Sequence, residues 1–197
     1  MSLPTLDQLS ALIHQRRSLK PASMDSTRVI DRALLRTLLE NATWAPTHGL
    51  TQPWRFRVYE GKAREALAAS LQRLYRDTTP LDQHREDKFI KLGETPLMAP
   101  TVMVCSLHRD AGDKIPEIEE IEAVACAMQN IMLSATAAGL GSYWSSPPVI
   151  YTPEFGRWLG LREQDRCLGL LYLGWARSHA ASLTSVRAGL ESCVTWA

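Results

Sequence analysis

One eight-residue run, Pro100-Thr101-Val102-Met103-Val104-Cys105-Ser106-Leu107, constrains the fold of this chain more than any other stretch. It is β-favouring and almost wholly apolar, so it predicts a strand buried on both faces, which needs cover above and below. Further strands are expected at Phe56 to Tyr59, which alternates, at Gly141 to Ser146 before the turn at Pro147-Pro148, and at Cys167 to Gly174. Helical stripes supply the rest. Leu6, Leu9, Leu12 and Ile13 place a helix ahead of Arg16, and Leu34, Leu35, Leu38 and Leu39 mark another within 31–43. Ala63, Ala66, Leu67, Leu71 and Leu74 mark a third within 62–76, and a long helix of small residues runs from Glu119 to Ala138. Thr152-Pro153 opens a brief helix to Leu159, with Thr as N-cap and Pro at the first helical position.

Two segments stand apart. Residues 77–96 are charged and broken by Pro80 and Gly93, the pattern of a mobile helical cover rather than core. Residues 177–197 are polar and weakly patterned until Val194-Thr195-Trp196, a tail that packing on a partner subunit could order. No repeat or linker divides the chain, so residues 1–197 read as a single domain.

Charge excludes some partners. A formal net charge of +1 gives no general field for nucleic acid or an anionic membrane, so any anion site has to be local. Met1 to Thr5 carries no basic region followed by an apolar stretch, and no apolar run is long enough to span a bilayer, which points to the cytoplasm. Cys105, Cys126, Cys167 and Cys193 lie far apart, three of them in apolar segments, and read as structural thiols. The five histidines show no ligand spacing, so no metal site is expected. Glu117, Glu119, Glu120 and Glu122 read as solvated charges at a helix start.

Three groups of residues carry possible chemistry. Arg16-Arg17-Ser18 places two guanidinium groups and a hydroxyl within three residues, a local phosphate site if it is more than solvated surface. Neither a Gly-x-Gly-x-x-Gly nor a Gly-x4-Gly-Lys-Ser/Thr loop is present, so side chains would have to hold the phosphate. The stretch Trp44-Ala-Pro-Thr-His48-Gly-Leu-Thr-Gln52-Pro-Trp-Arg-Phe56 is a loop stiffened by two prolines, able to offer donors at Thr47, His48, Gly49, Thr51 and Gln52 to a flat ligand or simply to join a helix to a strand. Trp144-Ser145-Ser146 adds backbone and hydroxyl groups after the sharp exit at Gly139-Leu140-Gly141. The sequence shows no nucleophile elbow and no Cys beside a His, which favours chemistry carried by a cofactor.

Taken in order, these segments resemble the FMN-dependent nitroreductase family, and within it the compact YdjA-like members. The resemblance rests on Arg16-Arg17-Ser18, Ala45-Pro46-x5-Gln52-Pro53-Trp54-x-Phe56, Glu122-x7-Asn130-x2-Leu133-x-Ala135-x3-Gly139-Leu140-Gly141, Trp144-Ser145-Ser146 and Gly169-x2-Tyr172-Leu173-Gly174, and spans roughly residues 10 to 175. It implies a three-layer α+β fold with a central mixed, mainly antiparallel sheet flanked by helices, and an intertwined homodimer with FMN at the subunit interface. It assigns the FMN phosphate and ribityl chain to Arg16, Arg17 and Ser18, and the flavin ring and its partner-side contacts to His48 and Gln52, with Trp44 nearby. It brings Trp144, Ser145 and Ser146 to the other side of the same site. Leu50 stands where many larger members carry Asn, and Arg177 and Arg187 are candidates for a C-terminal phosphate contact. The activity implied is NAD(P)H-dependent reduction of nitroaromatics or quinones by ping-pong hydride transfer, the alternatives being a non-enzymatic flavin binder or another flavin enzyme, a dehydrogenase or a flavin-fragmenting one, on the same fold.

Overall fold

A computed structural model describes residues 3–112, 114–178 and 184–197; Met1, Ser2 and part of the polar tail lie outside the described residues. Four strands, β1 (Trp54–Glu60), β2 (Thr101–Leu107), β3 (Gly141–Ser145) and β4 (Arg166–Gly174), form one antiparallel sheet in the order β1-β2-β4-β3. Every residue of β2 is buried, as its unbroken apolar run requires. On one face Met103, Cys105, Leu107, Leu171 and Leu173 pack against α2 (Arg32–Ala42) and α5 (Glu117–Ala137), through Leu35, Leu38, Ala127 and Ile131. On the other, Val102, Val104, Leu170 and Tyr172 meet Leu67, Leu71 and Leu74 of α3 (Ala63–Thr78) and Phe155 and Leu159 of α6 (Pro153–Leu159). The result is the expected three-layer α+β architecture. Parallel pairing enters through a bridge between Ser18 and Ser142, which gives an otherwise antiparallel sheet its mixed character.

Local chemistry accounts for the element ends. Thr5 and Gln8 form a capping box on α1 (Leu6–Gln15), and Asp31 caps α2 through the Ala33 N–H. Thr152 caps α6, Pro153 is its first residue, and Gly160 closes it in the left-handed region. The stripe on α1 faces outward: no residue of this helix is buried, and Leu6, Leu9 and Ile13 are exposed.

Three expectations need correction. Glu120 is not solvated: it is 1 % exposed and accepts from Arg109 Nη1 at 2.5 Å and from the Asp110 N–H at 3.1 Å, a pairing with a loop that helix spacing alone does not reveal. Cys105 and Cys167 are buried, but Cys126 and Cys193 are exposed, because Cys126 falls on the outward side of α5. Burial pushes both inner thiols up, Cys167 to about 12, so they are protonated and unreactive at neutral pH. The charged stretch 77–96 is partly core: α4 (Glu86–Glu94) docks on α3, with Phe89 and Leu92 half-buried and Gln72 Nε2 donating to the Phe89 carbonyl at 3.1 Å.

The loops that close the sheet's far end converge on Asp165. It accepts from the Arg109 and Arg162 N–H groups at 3.0 and 3.2 Å and from Arg162 Nη2 at 2.9 Å, with His108 Nδ1 at 3.1 Å. Burial alone would raise its pKa, but the Arg162 guanidinium, the two backbone donors and His108 outweigh that and bring it to about 2. The folded value lies below the ordinary 3.8, so this carboxylate contributes stability above about pH 4 that is lost as pH falls towards 2. In urea titrations from pH 5 to 2, Asp165→Asn should flatten the acid decline by about 2 kcal/mol. An unchanged slope would contradict the arrangement.

Candidate active site

The segment after α1 is held against the open edge of the sheet. Arg16 ends the helix, and the chain then runs beside β3, where the Leu19 N–H donates to the Ser142 carbonyl at 2.9 Å and Ser18 bridges Ser142. Gly141 permits this approach, since a Cβ there would collide with Leu19. Arg16 and Arg17 are half-buried and Ser18 is exposed. Arg17 Nη1 donates to the Arg16 carbonyl at 2.8 Å, yet its Nε is buried without a partner, and so is the Ser142 hydroxyl next to Ser18. Unsatisfied buried donors of this kind are costly unless something completes them.

Further along the same edge, Trp144 Nε1 donates to the Leu168 carbonyl at 3.3 Å, with its indole laid over Gly169, where a Cβ would collide with it. Trp144, Ser145 and Ser146 line a cavity of about 650 Å³, together with Tyr143 and Tyr172. Sequence reading missed Lys20, which lines this cavity two residues past Ser18, and Lys88 and Lys91, which reach it from α4. The signal for Lys20 was there, a third cation within five residues of Arg16.

The proline-stiffened loop lies elsewhere. It leaves α2 at Trp44, which is 86 % exposed, turns on buried Ala45, and enters β1 at the opposite edge of the sheet. His48 Nδ1 lies 2.6 Å from Glu119 Oε2 at the start of α5. Two of the donors read from sequence are used internally: the Thr51 N–H donates to the His48 carbonyl and the Gln52 N–H to Thr47 Oγ1. Gly49, Leu50 and Gln52 have φ of 59°, 55° and 46°. For Leu and Gln this left-handed backbone carries strain of the sort found at ligand clamps and switches.

The nine candidate residues thus fall into two groups. Arg16, Arg17, Ser18, Trp144, Ser145 and Ser146 gather at the β3 edge; Trp44, His48 and Gln52 gather at the β1 edge, three strand spacings or about 14 Å across the sheet. A single chain does not bring the groups together. Arg177, one of the two candidate C-terminal cations, donates from Nε to the Met24 carbonyl at 2.8 Å, while among the described residues Arg187 bonds to its own segment, Ser185 and Val186.

The nitroreductase-family model matches residues 13–175. YdjA of Escherichia coli, whose name carries the words NAD(P)H nitroreductase, is 30% identical over 182 residues, covering 92% of this chain and 94% of that protein. A nitroreductase-like family protein from Bacillus cereus superposes with a TM-score of 0.80 at 26% identity over 98% of each chain. The FMN-dependent nitroreductase NfnB of Mycobacterium smegmatis, solved with NADPH, superposes with a TM-score of 0.75 at 21% identity over 98% of this chain and all of that one.

The loop strain is measurable. Leu50→Gly removes a left-handed Leu at an exposed position and should stabilise the chain by up to about 1 kcal/mol in urea unfolding, the relief of strain exceeding the entropy of Gly. A loss of stability would show that Leu50 is not strained.

Proposed function

The chain belongs to the nitroreductase family, and from that premise we propose that it is an FMN-dependent NAD(P)H oxidoreductase that works as a cytoplasmic homodimer. The observation that carries the reading is the division of the site. The two groups, at opposite edges of one sheet, would become one site if the β3 edge of one protomer faced the β1 edge of its partner. Apolar surface supports the pairing: Leu6, Leu9 and Ile13 on α1, with Val186, Leu190 and Trp196 in the described part of the tail, are exposed in the single chain.

The residues present fit the cofactor. Arg17 Nε and the Ser142 hydroxyl, buried and unpaired, sit where the charged tail of FMN would be held by Arg16, Arg17 and Ser18. Trp144, Ser145 and Ser146 would hold the ring from the same chain, and Trp44, His48 and Gln52 would approach it from the partner subunit. When bound, FMN supplies two-electron chemistry, taking hydride from reduced nicotinamide and passing it to a nitroaromatic or quinone. The chain's own contribution is orientation and electrostatics. The guanidinium groups of Arg16 and Arg17 would balance the phosphate, and backbone and hydroxyl donors of the site would offer hydrogen bonds to the ring. His48 Nδ1, 2.6 Å from Glu119 Oε2, is the loop side chain that would reach across to the partner.

Purified protein supplied with FMN should show the absorbance bands of bound oxidised flavin, sediment as a dimer, and oxidise NAD(P)H with a quinone or nitroarene. Protein that binds flavin without turnover would be a non-enzymatic binder. Replacing both guanidinium groups, Arg16→Ala with Arg17→Ala, should weaken FMN retention about a hundredfold, as expected for two charge-assisted contacts. Unchanged retention in an equilibrium titration would place the phosphate elsewhere.

A further inference from the structure

A second cavity, of about 320 Å³, opens at the end of β1 on the α6 side of the sheet, away from the β3 edge. Its walls include Arg55, Arg57, Ser106, His108, Arg162 and Asp165. Arg55 and Arg57 alternate with Trp54, Phe56 and Val58 along β1, so both leave the strand on the side that Tyr59 shares with the α3 and α6 layer. The helical cover ends there at Leu159, and what would be an apolar floor becomes a basic one.

The charge balance points to a ligand. Among the described residues, Asp165 is the only carboxylate in the lining, and it is already engaged by Arg162, His108 and two backbone N–H groups. Among the described residues, Arg55 and Arg57 have no carboxylate partner. Arg55 Nη1 donates to the Gln52 and Trp54 carbonyls at 3.0 and 2.8 Å, and Arg57 Nη2 donates to the Leu159 carbonyl at 2.7 Å. Those contacts aim the two guanidinium groups without neutralising them, and each keeps further N–H donors. Two positioned, uncompensated guanidinium groups facing an arginine and a histidine suit an oxyanion with several acceptor oxygens.

We infer that this cavity is a binding site for a phosphate group, separate from the flavin site, with Arg55 and Arg57 as its principal ligands and Arg162 and His108 opposite them. The ligand is inorganic phosphate or the phosphate of a nucleotide. Arg55 ties the site to the strained loop, because the guanidinium that would hold the anion also holds the Gln52 carbonyl. The inference does not depend on what the β3 edge binds.

The test is calorimetric titration of FMN-loaded protein, and of protein without FMN, with inorganic phosphate, AMP and adenosine at ionic strength matched with chloride. Saturable binding of phosphate or AMP, none of adenosine, and an unchanged flavin spectrum are expected. Tighter binding of AMP identifies a nucleotide as the source; equal binding identifies the free ion. Arg57→Gln, which leaves the Arg55 contact to the Gln52 carbonyl in place, should weaken binding several-fold with flavin content unaltered, and Arg55→Gln with Arg57→Gln should weaken it at least tenfold. Absence of saturable binding over chloride, full binding by the variants, or release of FMN when phosphate is added would overturn the assignment.

Discussion

Everything in this molecule is arranged around the complete burial of β2. A strand with no solvent face must be paired on both sides and covered on both faces, and β1, β4 and the two helical layers do this. Interior space is therefore filled by aliphatic side chains and small residues, among them Ala123, Ala127 and Ala135 of α5. Polar chemistry is displaced to the rims, where the sheet runs out at β1 and β3. The candidate flavin residues and the basic cavity lie at these rims for the same reason.

The layered core was legible because its signals are local and periodic. The apolar run at 101–107, the Leu stripe of α2 and the Thr-Pro start of α6 each declare an element within a dozen residues. Features that failed to show were those set by distant partners. Glu120 looks like any acid at a helix start until Arg109 folds back on it, and Cys126 looks apolar until α5 turns it outward. The motifs of the candidate site were legible as a set, but their separation was not, since chain order places Trp44 to Gln52 between Arg16 and Trp144 without saying which sheet edge each occupies. The left-handed backbone at Leu50 and Gln52 was invisible for another reason: residue identity there argues against it, and only the surrounding hydrogen bonds, Gln52 N–H to Thr47 Oγ1 and Arg55 to the Gln52 carbonyl, hold it.

Electrostatics follow the same geography. A chain of net charge +1 still concentrates positive charge, with Arg16 and Arg17 at one rim and Arg55 and Arg57 at the other, while the buried pair of Arg109 with Glu120 and the half-buried pair of Arg162 with Asp165 are balanced. The balanced pairs brace the loops beyond β2; of the others, Arg55 and Arg57 are exposed, and Arg16 and Arg17 are half-buried at the opposite rim.

The indole of Trp144 lies where it does because β4 has a glycine at 169. A hydrogen atom in place of a methyl group on one strand thus decides how far an aromatic plate on the next can sink, and with it the depth of the groove along the rim. Tuning that groove to a bulkier or slimmer guest needs no rebuilding of the scaffold, only a change in the smallest side chain beneath its largest.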